Sequence, residues 1–240
     1  MKVFIPAAGL GTRLGPLTRD KPKALVEFNG MPMLGGLIRR LKAQGFDRFC
    51  VNIHHFGDQV LDYLQKNDFF GVDLVISDER EQLLDTGGAV KKAGSFFEGT
   101  ESVLVHNVDV YTDLDYHKIV KEHERSGALV SLLVRKRNST RKLLFDEHLA
   151  LKGWKNLTTG EYKWSSGPVT NYTERAFSGI YVASPDFPLK IKSNGKFPVV
   201  PVWLDLVKDH IIKGVDHSQS LWFDLGTPEK IKEAERTSNQ

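Results

Sequence analysis

The residues best suited to chemistry open the chain. Gly9 and Gly11 share one turn-rich stretch with Arg13, Arg19, Lys21 and Lys23. Glycine lets the main chain approach a ligand closely and offers bare amides to anionic oxygens. Cationic side chains beside such amides suit a polyphosphate. Two carboxylates far downstream, Asp109 and Asp224, each close a short apolar run. In an open α/β sheet such strand ends carry the chemistry. Gly87 and Gly88 stand together where a helix should begin, a costly place for glycine. Close approach of a flat nucleobase would account for them. The glycine spacing of the opening stretch misses the dinucleotide fingerprint, and no Gly-Lys-Ser/Thr follows to make a P-loop.

These residues need elements to hold them. Residues 3–5 read as a strand and 24–28 as a second apolar run. Gly9, Gly11, Gly15, Pro16 and Pro22 between them exclude a helix of ordinary length. A connection this long in a compact domain is usually functional. Helix spacing over 33–44 ends at Gly45, and residues 49–53 form a buried strand. A helix through 60–64 and a strand over 72–76 continue the alternation. The order predicts an α/β fold with a mostly parallel mixed sheet between helices. His54-His55, at a strand end, reads as structural and not as a metal pair.

Farther along, Asp85 or Thr86 is expected to cap a helix over 87–96, and Asp115 one over 117–125. Residues 103–110 read as one strand ending at the Asp109 carboxylate, and 128–134 as another. Short alternating runs over 135–172 predict a small antiparallel β-insertion, with Trp154 and Trp164 as hydrophobic cover. The basic cluster of Arg135, Lys136, Arg137, Arg141 and Lys142 reads as a solvated loop. Residues 176–182 return to the core sheet, and 199–212 read as an amphipathic helix with Pro201 in its first turn. Thr227 and Pro228 open the final helix after the strand that carries Asp224.

Composition narrows the classes. A chain of 240 residues, 40% hydrophobic and 26% charged, can bury one sizeable core and is of globular type. A net charge of +3, evenly spread, argues against a nucleic-acid or membrane partner. No apolar run is long enough for a bilayer, and the chain enters a strand at once, with no signal segment. The single cysteine, Cys50, lies in an apolar run and reads as a core residue of a cytoplasmic protein.

The opening string resembles the signature of the sugar-1-phosphate nucleotidyltransferases, Gly-x-Gly-Thr-Arg-Leu-x-Pro-Leu-Thr, then Pro-Lys and a hydrophobic strand. Gly9, Gly11, Thr12, Arg13, Leu14, Pro16, Leu17, Thr18, Pro22 and Lys23 fall in register. Three further strings carry the resemblance: Leu84 to Ala89, Asn107 to Asp113, and Trp222-x-Asp-x-Gly-Thr. With Phe177-Ser178-Gly179-Ile180 they look closest to the branch that uses UTP and N-acetylmuramate 1-phosphate. The guanylyl-transferring heptose branch shares several of them. Val108 departs from the family's glycine.

The resemblance implies transfer of a nucleotidyl group from a nucleoside triphosphate, UTP favoured, to a sugar 1-phosphate. It implies one Rossmann-like domain over 1–240, with the nucleotide part in roughly the first 110 residues and the sugar part in the rest. Arg13 and Lys23 are then catalytic. Ala8, Gly9, Gly11, Thr12, Gly87 and Gly88 join them in binding the nucleotide. Asn107 and Gly179 bind the sugar phosphate, and Asp109 and Asp224 hold Mg²⁺. Both carboxylates should end core strands and emerge on one edge of the sheet. The expected partners are the triphosphate and the sugar phosphate, with no nucleic acid or membrane, and the chain acts as a monomer or small homo-oligomer.

Overall fold

A computed structural model describes residues 1–238. The chain opens with β1 (Lys2–Ile5), crosses the long loop, and makes a hairpin of β2 (Glu27–Phe28) and β3 (Met31–Pro32). Helix α1 (Met33–Ala43), β4 (Arg48–Ile53), α2 (Gly57–Lys66) and β5 (Asp73–Asp78) follow. Then come α3 (Asp85–Lys92), α4 (Gly94–Phe97), β6 (Val103–His106), β7 (Val110–Thr112) and α5 (Tyr116–Ser126). The second half holds β8 (Val130–Arg135), β9 (Arg141–Phe145), β10 (Leu151–Asn156), β11 (Tyr162–Trp164) and the long β12 (Thr173–Ala183). It closes with α6 (Val199–Leu206), β13 (Ile212–Asp216), β14 (Trp222–Asp224) and α7 (Pro228–Ser238).

Ten strands form the main sheet. Strand β1 has a parallel neighbour on each side, β4 and β6, and β5 lies parallel beyond β4. The order therefore reverses at β1, and the loop leaving its carboxyl end lies over a topological switch point, where open α/β sheets bind ligands. Strand β12 runs antiparallel to β6, β8 and β9, and β10 and β11 extend the β9 side as the expected antiparallel insertion. Strand β13 is parallel to β8.

Alternation along β1 divides the core between the two faces of the sheet. Val3 and Ile5 pack in one cluster with Leu34 and Leu37 of α1 and Leu64 of α2. Phe4 packs in the other with Val90 of α3, Phe97 and Trp203 of α6. Cys50 is buried in this second cluster, and burial, aided by the Glu79 charge, pushes its thiol up to about 12.

Three predicted elements are divided. Residues 87–96 are two helices, and helix α6 ends at Leu206, leaving Ile212 to enter a buried strand. Residues 103–110 break after His106. Its buried ring bonds the Tyr116 hydroxyl at 2.7 Å and the Asn107 carbonyl at 2.9 Å. A turn closed by the Val110 amide on the Asn107 carbonyl (3.2 Å) then leads out of the sheet. Asp109 therefore lies in that turn, not on a core strand. Asp224 ends β14, which pairs with β7 in a separate two-stranded ribbon. Hydrophobic run length alone cannot register such a turn, because Val108 and Val110 are buried beneath it.

Candidate active site

The opening loop is tied down by a polar residue inside an apolar strand. The Asn52 carboxamide oxygen accepts from the Ala7 and Ala8 amides at 2.6 and 3.1 Å. Its amide group donates to buried Glu79 at 2.8 Å, and Glu79 accepts the Leu84 amide at 3.1 Å. One side chain thus joins the ends of β1, β4 and β5. Neither Asn52 nor Glu79 was expected at the site, although a lone Asn in the run Phe49 to Ile53 is the signal that could have found it.

Past this anchor, a Cβ added at Gly9 would meet nothing within 4 Å, so the main chain there faces open space. Gly11 differs. Its φ of +65° favours glycine, and a Cβ would stand 2.9 Å from the Lys23 Cβ. Glycine at this position lets the loop close on Lys23. Thr12 to Thr18 then forms two short 3₁₀ turns separated at Gly15.

Two cavities flank the β6–β7 turn. The smaller, of 420 Å³, is bordered by Ala8, Gly9, Gly11, Thr12, Lys23 and Lys196. The larger, of 760 Å³, is bordered by Arg13, Gly179, Asp224 and Lys230, with Arg137 and Trp154 on its far wall. Asn107 and Asp109 border both. Gly179 marks the register shift in β12, where its carbonyl accepts the Asn107 amide at 2.9 Å. Its φ is +79°, and a Cβ would lie 2.9 Å from a Val110 methyl.

The fold brings Asp109 and Asp224 together by the ribbon. Asp224 pairs with Val110, and the Leu225 amide donates to the Asp109 carbonyl at 2.8 Å. Each carboxylate has its own lysine: Lys23 pairs with Asp109, and Lys230 reaches Asp224 at 2.6 Å. Arg13 approaches Asp224 at 3.9 Å with its side chain 62% exposed, free to turn to a ligand. Burial raises the Asp224 pKa, but the Lys230 bond and charge, Arg13 and the Gly226 amide outweigh it, leaving the carboxyl below its ordinary value. Lys230 was unmarked in the sequence, since its i+6 relation to Asp224 appears only once α7 folds back.

Trp222 carries the far wall. Its indole donates to the Ser178 carbonyl at 3.0 Å, and the Ser178 hydroxyl meets the buried His217 ring at 2.6 Å. Arg137 lies over the Trp222 ring at 4.7 Å and donates to the Phe177 carbonyl at 3.0 Å. The basic cluster expected to be a solvated loop therefore borders the larger cavity through Arg137, Arg141 and Lys142. Sequence reasoning missed this because β9 and β14 are distant in the chain.

Gly87 and Gly88 have a partner other than a base. Their amides both donate to the Phe197 carbonyl, at 2.9 and 3.2 Å. A Cβ at Gly87 would stand 2.6 Å from the Phe197 ring, and one at Gly88 would strike the Gly195 carbonyl. Neither glycine borders the smaller cavity; Asp85, Thr86 and Ala89 of the same helix do. Thr86 does not cap the helix but accepts the Val199 amide at 3.0 Å. The close approach that the sequence required is made by the chain itself.

Among the described residues, no three His, Cys, Asp or Glu side chains gather as a metal cage. Mg²⁺ needs no cage. It takes one or two carboxylates and completes its shell with water and phosphate oxygens. Asp109 and Asp224, bordering one cavity with hard oxygen donors, fit that requirement, with Lys23 and Lys230 as their present counter-charges.

Residues 2–143 match a family model described as Nucleotidyl transferase. The chain is 31% identical over 243 residues to the N-acetylmuramate alpha-1-phosphate uridylyltransferase of Caulobacter vibrioides, covering 97% of this chain and 94% of the relative. It is 29% identical over 245 residues to the enzyme of that name in Neisseria meningitidis serogroup B, covering 98% and 97%. Its fold is similar to that of HddC from Yersinia pseudotuberculosis complexed with GMP-PN, at a TM-score of 0.77 and 24% identity over 99% of each chain. No helix among the described residues is long and apolar enough to cross a membrane. Family model, full-length relatives and fold agree, and the chain belongs to the nucleotidyl transferase family as an enzyme of the sugar-1-phosphate nucleotidyltransferase class.

Proposed function

We propose that the protein transfers a uridylyl group from UTP to a sugar 1-phosphate, with N-acetylmuramate 1-phosphate the favoured acceptor, as in cytoplasmic recycling of cell-wall sugars. The observation that carries this reading is the meeting of two cavities at Asn107 and Asp109, with cations on both sides of the junction. The names of the two full-length relatives support the choice of base and sugar.

In this reading an oxygen of the sugar phosphate attacks the α-phosphorus. A P–O bond forms as the bond to the α,β-bridging oxygen breaks, and pyrophosphate leaves with the electron pair. The nucleophile is already anionic, so no base has to remove a proton. The barrier comes from bringing two phosphates together in line, and fixed positive charge lowers it.

Main-chain amides around Gly9 and Gly11 and the Thr12 hydroxyl receive the triphosphate, with Ala8 held in place by Asn52. Lys23 stands at the junction beside the transferred group, and Arg13 neutralises the departing pyrophosphate. Asn107, placed by Gly179, orients the sugar phosphate. A Mg²⁺ held by Asp109 and Asp224 would supply further charge neutralisation when bound. Gly87 and Gly88 serve the nucleotide indirectly, by seating the segment that carries Lys196 at the cavity edge.

The test is a matrix of nucleoside triphosphates against sugar 1-phosphates, read by pyrophosphate release. UTP with N-acetylmuramate 1-phosphate should be the best pair. A clear preference for GTP would move the protein to guanylyl transfer, and one for CTP or dTTP would reject both.

A further inference from the structure

The larger cavity holds more positive charge than a sugar phosphate needs. Near Asp224 the cations are Arg13 and Lys230, and both have a carboxylate partner. At the other end the floor is apolar, formed by Leu143, Trp154, Phe177 and Val200. Leu143 and Trp154 are register partners across β9 and β10, so their side chains share one face. Arg141 is two residues from Leu143 on β9 and projects from the same face, at the rim of this floor.

Among the described residues neither guanidinium at this end is paired with a carboxylate, and Lys142, which also borders the cavity, donates to the Arg137 carbonyl at 2.6 Å. Arg141 is exposed, and among the described residues its side chain makes no hydrogen bond or ion pair; its bonds to Ser139 and its pairing with Asn156 of β10 run through its main chain. Among the described residues Arg137, which borders the same cavity, donates only to the Asn138 and Phe177 carbonyls, and its buried Nε has no partner. A buried donor without a partner is costly, so a ligand that satisfies it gains affinity. An apolar floor rimmed by planar donor forks matches a carboxylate carried on a short apolar arm.

We propose that Arg141, with Arg137, forms a carboxylate subsite, and that the acceptor is a sugar 1-phosphate bearing an acidic substituent on its ring. This rests on the nucleotidyl-transfer reading above and adds the group by which the sugar is chosen. The ether-linked lactyl arm of N-acetylmuramate, a methyl beside a carboxylate, has the required chemistry, and N-acetylglucosamine 1-phosphate lacks it.

The experiment measures kcat/KM with UTP for three acceptors: N-acetylmuramate 1-phosphate, its carboxamide, and N-acetylglucosamine 1-phosphate. Wild-type protein should prefer the acid over both neutral sugars by about ten- to a hundredfold. Arg141→Gln should reduce that preference at least tenfold, mainly through KM for the acid, and Arg141→Lys should restore part of it. A melting curve for Arg141→Gln matching wild type excludes misfolding. Equal use of acidic and neutral sugars by wild type, or a preference intact in Arg141→Gln, overturns the subsite while uridylyl transfer stands. Transfer only to other, neutral sugar phosphates does the same. Absence of pyrophosphate release with every acceptor removes both readings.

Discussion

The smaller cavity is walled by main chain folded around Asn52, whereas the larger is walled by side chains stacked in series. In the first, amides, glycines and a tight turn within one stretch present the chemistry, and one carboxamide holds them. In the second, His217 supports Ser178, Ser178 accepts Trp222, and Trp222 carries Arg137, each from a different element. A backbone cradle recognises what all nucleotides share, their phosphates. A wall of exchangeable side chains can be retuned to different sugars without disturbing the cradle. On the proposed assignment of the nucleotide to the smaller cavity and the sugar to the larger, the first is the general part of the site and the second the particular one.

The largest effects should fall at the junction that both halves use. Asp109→Asn and Asp224→Asn should each lower turnover by about 10³-fold, the upper range for loss of one charge-organising group. Pyrophosphate release measures it. Isothermal titration with Mg²⁺ should show weakened metal binding in both; wild-type Mg²⁺ affinity in either would end the shared-site assignment. Arg13→Ala and Lys23→Ala should each cost about 100-fold in turnover. They differ in stability: Arg13 is largely exposed, whereas Lys23 is only 15% exposed and its loss strands the Asp109 carboxylate. Lys23→Ala should lower Tm and Arg13→Ala should not. Equal melting curves would mean that the Lys23–Asp109 pair does not hold the turn.

Two glycines sharpen the contrast between cradle and wall. Gly9→Ala meets open space, so Tm should hold while KM for UTP rises several-fold. Gly179→Ala forces a side chain into the left-handed region and against Val110, costing about 1–2 kcal/mol in the backbone alone. Turnover should fall about tenfold as Asn107 shifts. If both variants lost stability equally, the distinction between an open cradle and a packed wall would fail.

The mildest effect is a pH dependence of stability. Burial is the first cause that depresses three histidines: His106 to about 3, helped by Arg40, and His123 and His217 to about 4, helped by Lys213 and Arg135. The unfolded chain takes up these protons near the ordinary value of 6.5, before the folded one does. Stability is therefore full above 6.5 and falls as pH drops toward 4, by about 1.4 kcal/mol per unit for each histidine. Urea midpoints at pH 7, 6 and 5 should decline, and His217→Gln should flatten the slope. His217 supports the wall of the larger cavity, where the sugar is proposed to bind, so KM for the sugar phosphate should rise earlier on acidification than KM for UTP.

What the sequence determined by itself lies mostly within single stretches. The alternation of strands and helices, the Gly9–Lys23 loop, the caps at Asp115 and Thr227, and the antiparallel insertion were legible because each depends on neighbours in the chain. The tertiary structure decided what joins distant stretches. Residues 103–110 read as one strand although Asn107 and Asp109 are turn formers, because Val108 and Val110 are as buried off the sheet as on it. Gly87 and Gly88 announced a close approach that was read as a nucleobase, whereas folding supplies Gly195 and Phe197. Arg137 read as part of a solvated cluster and Lys230 carried no mark until β14 and α7 brought both to the cavity that Asp224 borders. Local spacing sets backbone geometry, whereas the environment of a charge depends on what packs beside it, and that follows only from the pairing of strands far apart in the chain.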